Sequence, residues 1–226
     1  MKQRYEAPAF PSLDEASLLR GVRALSRRDP DLHRIVQAHG PPPLWPRKQG
    51  FPTLVHIILE QQVSLASAKA AFDKLQTALG RITPEKFLTL DDLELLAIGF
   101  SRQKTGYCRE LSESILAKQF SPMSLRRMSD DEARGSLIGI KGIGSWSADI
   151  YLLMALGRPD IWPIGDLALA VAAHEVKGLE KRPTPEELHA LGESWRPWRA
   201  VAARLLWHHY LSKRKPVQPK KPGTAI

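Results

Sequence analysis

Leu137-Ile138-Gly139-Ile140-Lys141-Gly142-Ile143-Gly144-Ser145-Trp146-Ser147-Ala148 is the stretch on which the fold turns. The apolar residues leading into it predict a helix that ends near Ile138. Gly139, Gly142 and Gly144 then punctuate a tight turn. An amphipathic helix opens near Ser145 and runs through Ile150, Leu152, Leu153 and Leu156 to Gly157. Glycine admits positive φ and lets the backbone approach a ligand closely. The amides of Gly142, Gly144 and Ser145 are expected at a helix N-terminus, where free N–H groups and the positive end of the helix dipole favour a phosphate. Ile143 is expected to plug into the core and fix the turn, and Lys141 to add a charge contact. This reads as a helix-hairpin-helix that grips DNA by its phosphates. Such contacts position a duplex without reading its sequence, so the hairpin alone describes a binding module.

Outward from the hairpin the periodicity is helical almost everywhere. Toward the N-terminus, residues 14–28 place Leu18, Leu19, Val22 and Leu25 on one stripe, and residues 30–39 form a second short helix. The Pro-rich run GPPPLWPRKQGFP (40–52) cannot be helical and suits a crossing between two lobes. Helices follow at 54–63 and 66–79, with Gly80 as C-cap, then at 84–89, 91–98 and 103–119. Ser129 to Glu132 and Thr184 to Glu187 are capping boxes that start further helices. The last helix is expected over 197–212. Few runs alternate as a strand would. The chain reads as all-α, with two helical lobes flanking a DNA-binding cleft. Residues 1–45 pack with the C-terminal lobe. Residues 50–157 form a lobe ending in the hairpin at about 130–157, residues 158–212 the C-terminal lobe, and 213–226 a disordered basic tail.

The totals agree with a polyanionic partner. The formal net charge is +9 over 226 residues, but Lys213, Arg214, Lys215, Lys220 and Lys221 supply five of those nine charges in an acid-free, Pro-rich end. The single cysteine, Cys108, excludes an internal disulfide and a four-cysteine iron–sulfur cluster. No apolar run reaches membrane-spanning length, and residues 1–12 lack a signal core, so the expected location is cytoplasmic, with the nucleoid.

About twenty residues beyond Trp146 comes Trp162-Pro163-Ile164-Gly165-Asp166-Leu167, an irregular loop with Asp166 at the start of the next helix. At this point the chain resembles the helix-hairpin-helix (HhH-GPD) DNA glycosylase superfamily, and within it the 3-methyladenine DNA glycosylase II group. The resemblance covers roughly 50–212. It rests on five blocks in order: Ile58 to Ser64 (ILEQQVS), Gly99 to Lys104 (GFSRQK), the hairpin, the Asp loop, and Trp195 to Arg199 (WRPWR) with Trp207. It implies a monofunctional enzyme acting on double-stranded DNA with damaged bases. That enzyme flips out alkylated purines of the 3-methyladenine and 7-methylguanine type and hydrolyses the N-glycosidic bond, leaving an abasic site.

Under that resemblance Asp166 is the catalytic carboxylate, suited to stabilise oxocarbenium character on the sugar and to orient water. Trp146, Trp207 and Trp45 are candidates for the base pocket, where aromatic faces attract a positively charged base. Relatives that also cut the backbone carry a Lys where this chain has Trp146, and an indole cannot form a Schiff base, so no AP-lyase step is expected. Gln61 and Gln62 lie in the block that supplies the wedge into the gap left by the flipped base. The carbonyls of Ile138, Ile140 and Ile143 match those that hold a monovalent cation. No other cofactor is implied, and a monomer is expected. Ile150 departs from the family, which often has a pocket aromatic there. Only about fifty residues precede the matching region, so the group's extra α/β domain is not expected. A binding module without chemistry, or a glycosylase for another lesion, stays open on these residues alone.

Overall fold

Asp29 joins the N-terminal helices to the far end of the chain. It closes α1 (Glu15–Arg28), and its carboxylate caps α2 (Pro30–His39) by accepting from Asp31 and Leu32 N–H groups. The same carboxylate takes the Lys177 ammonium at 2.7 Å and the Trp195 indole N–H at 2.7 Å. A computed structural model describes residues Phe10–Arg214, and among these there are twelve α-helices, one 3-10 turn (Ser124–Arg127) and no strand.

The helices fall into two groups around the Pro-rich connection. One holds α3 (Phe51–Glu60), α4 (Leu65–Leu79), α5 (Pro84–Phe87), α6 (Asp92–Ile98), α7 (Arg102–Leu116), α8 (Asp130–Ile138) and α9 (Ser145–Met154). In the other, α1 and α2 pack with α10 (Leu167–Lys177) and α12 (Arg199–Arg214), and α11 (Pro185–Glu193) lies against α12. Helix α3 is the axis of the first group: Leu54, Val55, Ile57, Ile58 and Leu59 are all buried, and it touches α4, α7 and α9. Each such side chain contributes roughly 1.5–3 kcal/mol of burial free energy. That gain explains why a helix with apolar residues around its whole circumference lies at a centre.

Several expected boundaries move. The 54–63 helix spans Phe51–Glu60, so the last two residues of the Pro-rich run are helical, proline being tolerated in a first turn where its missing N–H has no partner to lose. The 84–89 helix ends at Phe87. The 103–119 helix ends at Leu116, because Ala117 and Lys118 turn back with N–H bonds to Glu113 and Ile115, and Lys118 adopts φ +59. The helix after the hairpin ends at Met154 rather than Gly157; Gly157 turns with φ +66, and its carbonyl accepts from Leu13 N–H at 2.7 Å. The last helix starts at Arg199 and runs through Arg214, so Lys213 and Arg214 are not tail. Glu175 on α10 receives both, each at 3.4 Å, which holds the final turn. The rest of the expected disordered tail, 215–226, lies outside the described residues, as does the start of the chain at 1–9.

One buried cation fastens the connection between the groups. Arg204 on α12 donates to the carbonyls of Leu44 (2.9 Å), Ala200 (3.0 Å) and Leu153 (2.8 Å). It thereby satisfies an orphan carbonyl at the end of α9 and pins the backbone next to Trp45.

Candidate active site and nucleic-acid interface

Asp166 owes its place to the loop before it. Trp162 is buried, stacks edge-on with Trp195 at 5.2 Å and donates its indole N–H to Leu188 O at 3.0 Å, which anchors the loop in the C-terminal group. Gly165 then turns with φ +84 and delivers Asp166 as N-cap of α10. The carboxylate is buried, and each of its oxygens is hydrogen-bonded. Oδ1 accepts the Leu169 N–H (2.8 Å) and the Trp207 indole N–H (3.2 Å); Oδ2 accepts the Trp146 indole N–H (2.8 Å). Sequence reasoning placed these two tryptophans as pocket walls. They do line the same cleft, but each also grips the carboxylate, one from α9 and one from α12.

That cleft encloses about 1590 Å³. Its lining brings together Asp166, Trp146, Trp207, Trp45, Gln61, Gln62 and the hairpin turn from Ile138 to Gly144, Gly139 excepted. Trp45 is half-buried, its ring edge-on to His208 at 6.4 Å, and its backbone sits at φ +47, a conformation rare for a bulky residue. It is held there by Arg204 on Leu44 O and by the Arg47 N–H on Met154 O (2.9 Å).

The hairpin's glycines have separate reasons. Gly142 has φ +86, and a Cβ there would lie 2.2 Å from the Tyr107 ring, so nothing larger fits. Gly139 is ordinary right-handed helix, without the positive φ that the sequence suggested for the turn's glycines. Gly144 is extended, and a Cβ on it would meet nothing within 4 Å. The fold itself therefore has no need of glycine at 144, while a ligand approaching from outside would. Gly144 is the N-cap of α9, and no side chain caps that terminus. Ser145 is exposed, and Ile143 is buried beneath the turn. Lys141 stands exposed beside it, paired with Glu110 at 2.6 Å. The Ile140 carbonyl accepts the Ile143 N–H at 3.0 Å, and Ile138 is the exposed last residue of α8. Arg134 of α8 bonds Asp149 of α9 at 2.8 Å, tying the two hairpin helices together.

The two glutamines diverge. The Gln61 amide donates to Gly142 O (2.8 Å) and Ser147 Oγ (3.0 Å), so it ties the α3–α4 loop to the hairpin. Gln62 is exposed at the tip of that loop with φ +56. Lys104 braces the loop from below, its ammonium on the carbonyls of Leu59 and Gln61, each at 2.8 Å. Neither Lys104 nor Tyr107 was singled out from the sequence, although Lys104 closes the GFSRQK block and Tyr107 follows one turn later on α7.

A buried carboxylate beside donors, facing a cleft whose mouth carries an uncapped helix N-terminus, suits anion binding at the mouth and cation stabilisation within. The comparisons with known proteins point the same way. The model of the HhH-GPD superfamily of base excision DNA repair proteins matches residues 55–197. The alkylbase DNA glycosidase-like protein mag2 of Schizosaccharomyces pombe is 31% identical over 195 residues, covering 83% of this chain and 92% of that protein. The same organism's DNA-3-methyladenine glycosylase 1 is 28% identical over 214 residues, covering 91% and 94%. Among solved structures, the S. pombe 3-methyladenine DNA glycosylase in complex with abasic DNA superposes with a TM-score of 0.76 at 26% identity, covering 83% of this chain and 95% of that one.

Proposed function

Since the chain belongs to the HhH-GPD superfamily of base excision DNA repair proteins, we propose that it excises alkylated purines from double-stranded DNA, hydrolysing the N-glycosidic bond to leave an abasic site. The carrying observation is Asp166, buried in the cleft and held by two indole N–H groups and a backbone amide.

A base inside a duplex is out of reach, so the nucleotide must be everted. The uncapped start of α9, with the amides of Gly142, Gly144 and Ser145 and with Lys141 displaced from Glu110, takes a backbone phosphate and sets the register. Gln62, at the exposed loop tip, fills the gap in the stack. As the glycosidic bond lengthens, positive charge grows on the sugar, and the Asp166 carboxylate stabilises it electrostatically. Trp146 and Trp207 fix the direction of that carboxylate; with Trp45 their rings face an extruded base, and a cationic ring is drawn to such faces. An alkylated, positively charged purine is a good leaving group, so no separate acid is required.

Trp146 occupies the position at which a Schiff-base nucleophile would stand, and we assign no lyase step. Borohydride in a reaction with lesion DNA should trap no covalent adduct. Ile138 ends α8, and Ile140 and Ile143 follow in the turn; three such carbonyls would suit a monovalent cation that stiffens it; duplex affinity should then rise with added potassium at constant ionic strength. The chain is expected to act as a monomer. The decisive experiment incubates methylated duplex DNA with the protein and identifies released bases by chromatography. Release of 3-methyladenine or 7-methylguanine is expected. Tight duplex binding with no base released from any lesion would leave only a DNA-binding module.

A further inference from the structure

One charged pair in the cleft has no part in the chemistry above. Arg47, from the Pro-rich connection, meets Glu60, the last residue of α3, through two parallel bonds of 2.9 and 2.7 Å. Both residues line the cleft that holds Asp166. The Glu60 side chain is 6% exposed and that of Arg47 24%, so the carboxylate lies behind and the guanidinium in front.

Their position follows from α9. Trp146, Ile150 and Met154 recur every four residues, line the cleft and form its floor. At a rise of about 1.5 Å per residue this floor runs roughly 12 Å from Asp166's partner Trp146 to Met154. The backbone N–H of Arg47 donates to the Met154 carbonyl at 2.9 Å, which roots Arg47 at the far end of the floor. Glu60 precedes Gln61, whose amide reaches Ser147 at the near end. The pair therefore runs alongside the floor. The exposed residues Val63, Leu65, Ile138 and Leu167 form the rim, where a DNA backbone would run.

The chemistry of the pair is specific. A guanidinium has five N–H donors, and the fork to Glu60 uses two. The remaining donors have no acceptor to offer a base, so they match an oxygen and conflict with an amino group. Glu60 cancels the charge, so a cationic ring is not repelled. His56 lies 3.8 Å from Glu60, but burial holds its pKa below the usual imidazole value, leaving Arg47 as the neutralising partner at neutral pH.

We propose that Arg47, clamped by Glu60, reads the outer edge of the extruded base and favours purines with an oxygen at the 6-position, 7-methylguanine over 3-methyladenine. This rests on the alkylpurine reading above.

Methylated duplex DNA contains both bases, so one digestion measures both. Single-turnover release is compared for the native chain, Arg47→Met, and the double variant Arg47→Met with Glu60→Leu, which leaves no unpaired buried charge. Affinity for an abasic duplex, which lacks the base, is measured alongside. The native chain should release both bases. In the variants 7-methylguanine release should fall about 10- to 100-fold, the equivalent of one charged hydrogen bond, while 3-methyladenine release changes by less than about threefold. Abasic-duplex affinity should be unchanged. Equal loss of both bases would overturn the proposal, as would a parallel loss of abasic-duplex affinity with a reduced salt slope, the mark of a phosphate contact. A native chain releasing 3-methyladenine but no 7-methylguanine would overturn it too, with the alkylpurine reading intact. Release of neither base would sink both.

Discussion

Two anion-related regions face the same cleft and are built in opposite ways. At Asp166 the protein supplies the negative charge and surrounds it with its own donors, from α9, α10 and α12. At Gly144 the protein supplies the donors and leaves them without an acceptor of its own: an N-cap with no side chain, followed by an exposed Ser145. The first is preorganised, so no rearrangement is needed when charge develops. The second would be completed only by an anion from outside, for which a phosphate is the proposed partner. On the proposed function, the difference teaches where each task would reside, in buried side chains for the chemistry and in exposed backbone for the grip.

Breaking the carboxylate side should have the largest effect. Asp166→Asn keeps one oxygen to cap α10, but its amide nitrogen must face an indole N–H, so unfolding free energy should fall by about 1–3 kcal/mol, while single-turnover base release should fall on the order of 10²- to 10³-fold. Duplex affinity should persist. Unaltered release would remove this residue from the reaction. The next largest effect separates the two hairpin glycines. Gly142→Ala meets both positive φ and the Tyr107 ring, and should lower unfolding free energy by about 2–4 kcal/mol. Gly144→Ala has room, so it should lose under about 1 kcal/mol yet bind duplex roughly tenfold more weakly. Similar unfolding midpoints for the two would erase the distinction between a packing glycine and a ligand-facing one.

Removing one donor at a time from the carboxylate sharpens the picture further. Trp146→Phe keeps an aromatic face and loses the 2.8 Å bond; base release should drop about tenfold or more. Trp207→Phe loses the longer 3.2 Å bond and should do less. The reverse order would mean that ring packing, not the N–H, sets the rate. The smallest effect lies far from the cleft. Burial opposes ionisation of Asp29, but hydrogen bonds from Lys177 and Trp195 outweigh it and hold its pKa below the usual 3.8. A depressed carboxylate stabilises the fold above its ordinary pKa and ceases to do so as pH falls through the folded value. Acid unfolding below about pH 4 should therefore be shallower in Asp29→Asn.

Helix existence was legible because amphipathic spacing and capping boxes are local. The boxes at Ser129 and Thr184 start α8 and α11 where the spacing placed them. The hairpin was legible for the same reason, and Asp166 through the motif around it. What stayed hidden involves partners distant in sequence. The Gln61 bond to Gly142 spans 81 residues and the Trp207 bond to Asp166 spans 41, and neither leaves a periodic trace. Arg47 and Glu60 are ordinary polar residues until the chain brings them together. The end of α12 was misjudged because Glu175, which holds Lys213 and Arg214, sits on another helix.

The bond from Gln61 to Gly142 has a mechanical consequence. Residue 62, the proposed point of insertion, follows Gln61 directly, and residue 142 lies beside the proposed phosphate grip; the two belong to separate loops, yet Gln61 and Gly142 cannot part by an ångström without breaking a 2.8 Å bond. The span between them is thus fixed like the jaws of a calliper. On the function proposed above, a molecule passing along intact duplex would carry a gauge of constant width, and a base pair that yields to it would be detected by its softness before any of its atoms are read.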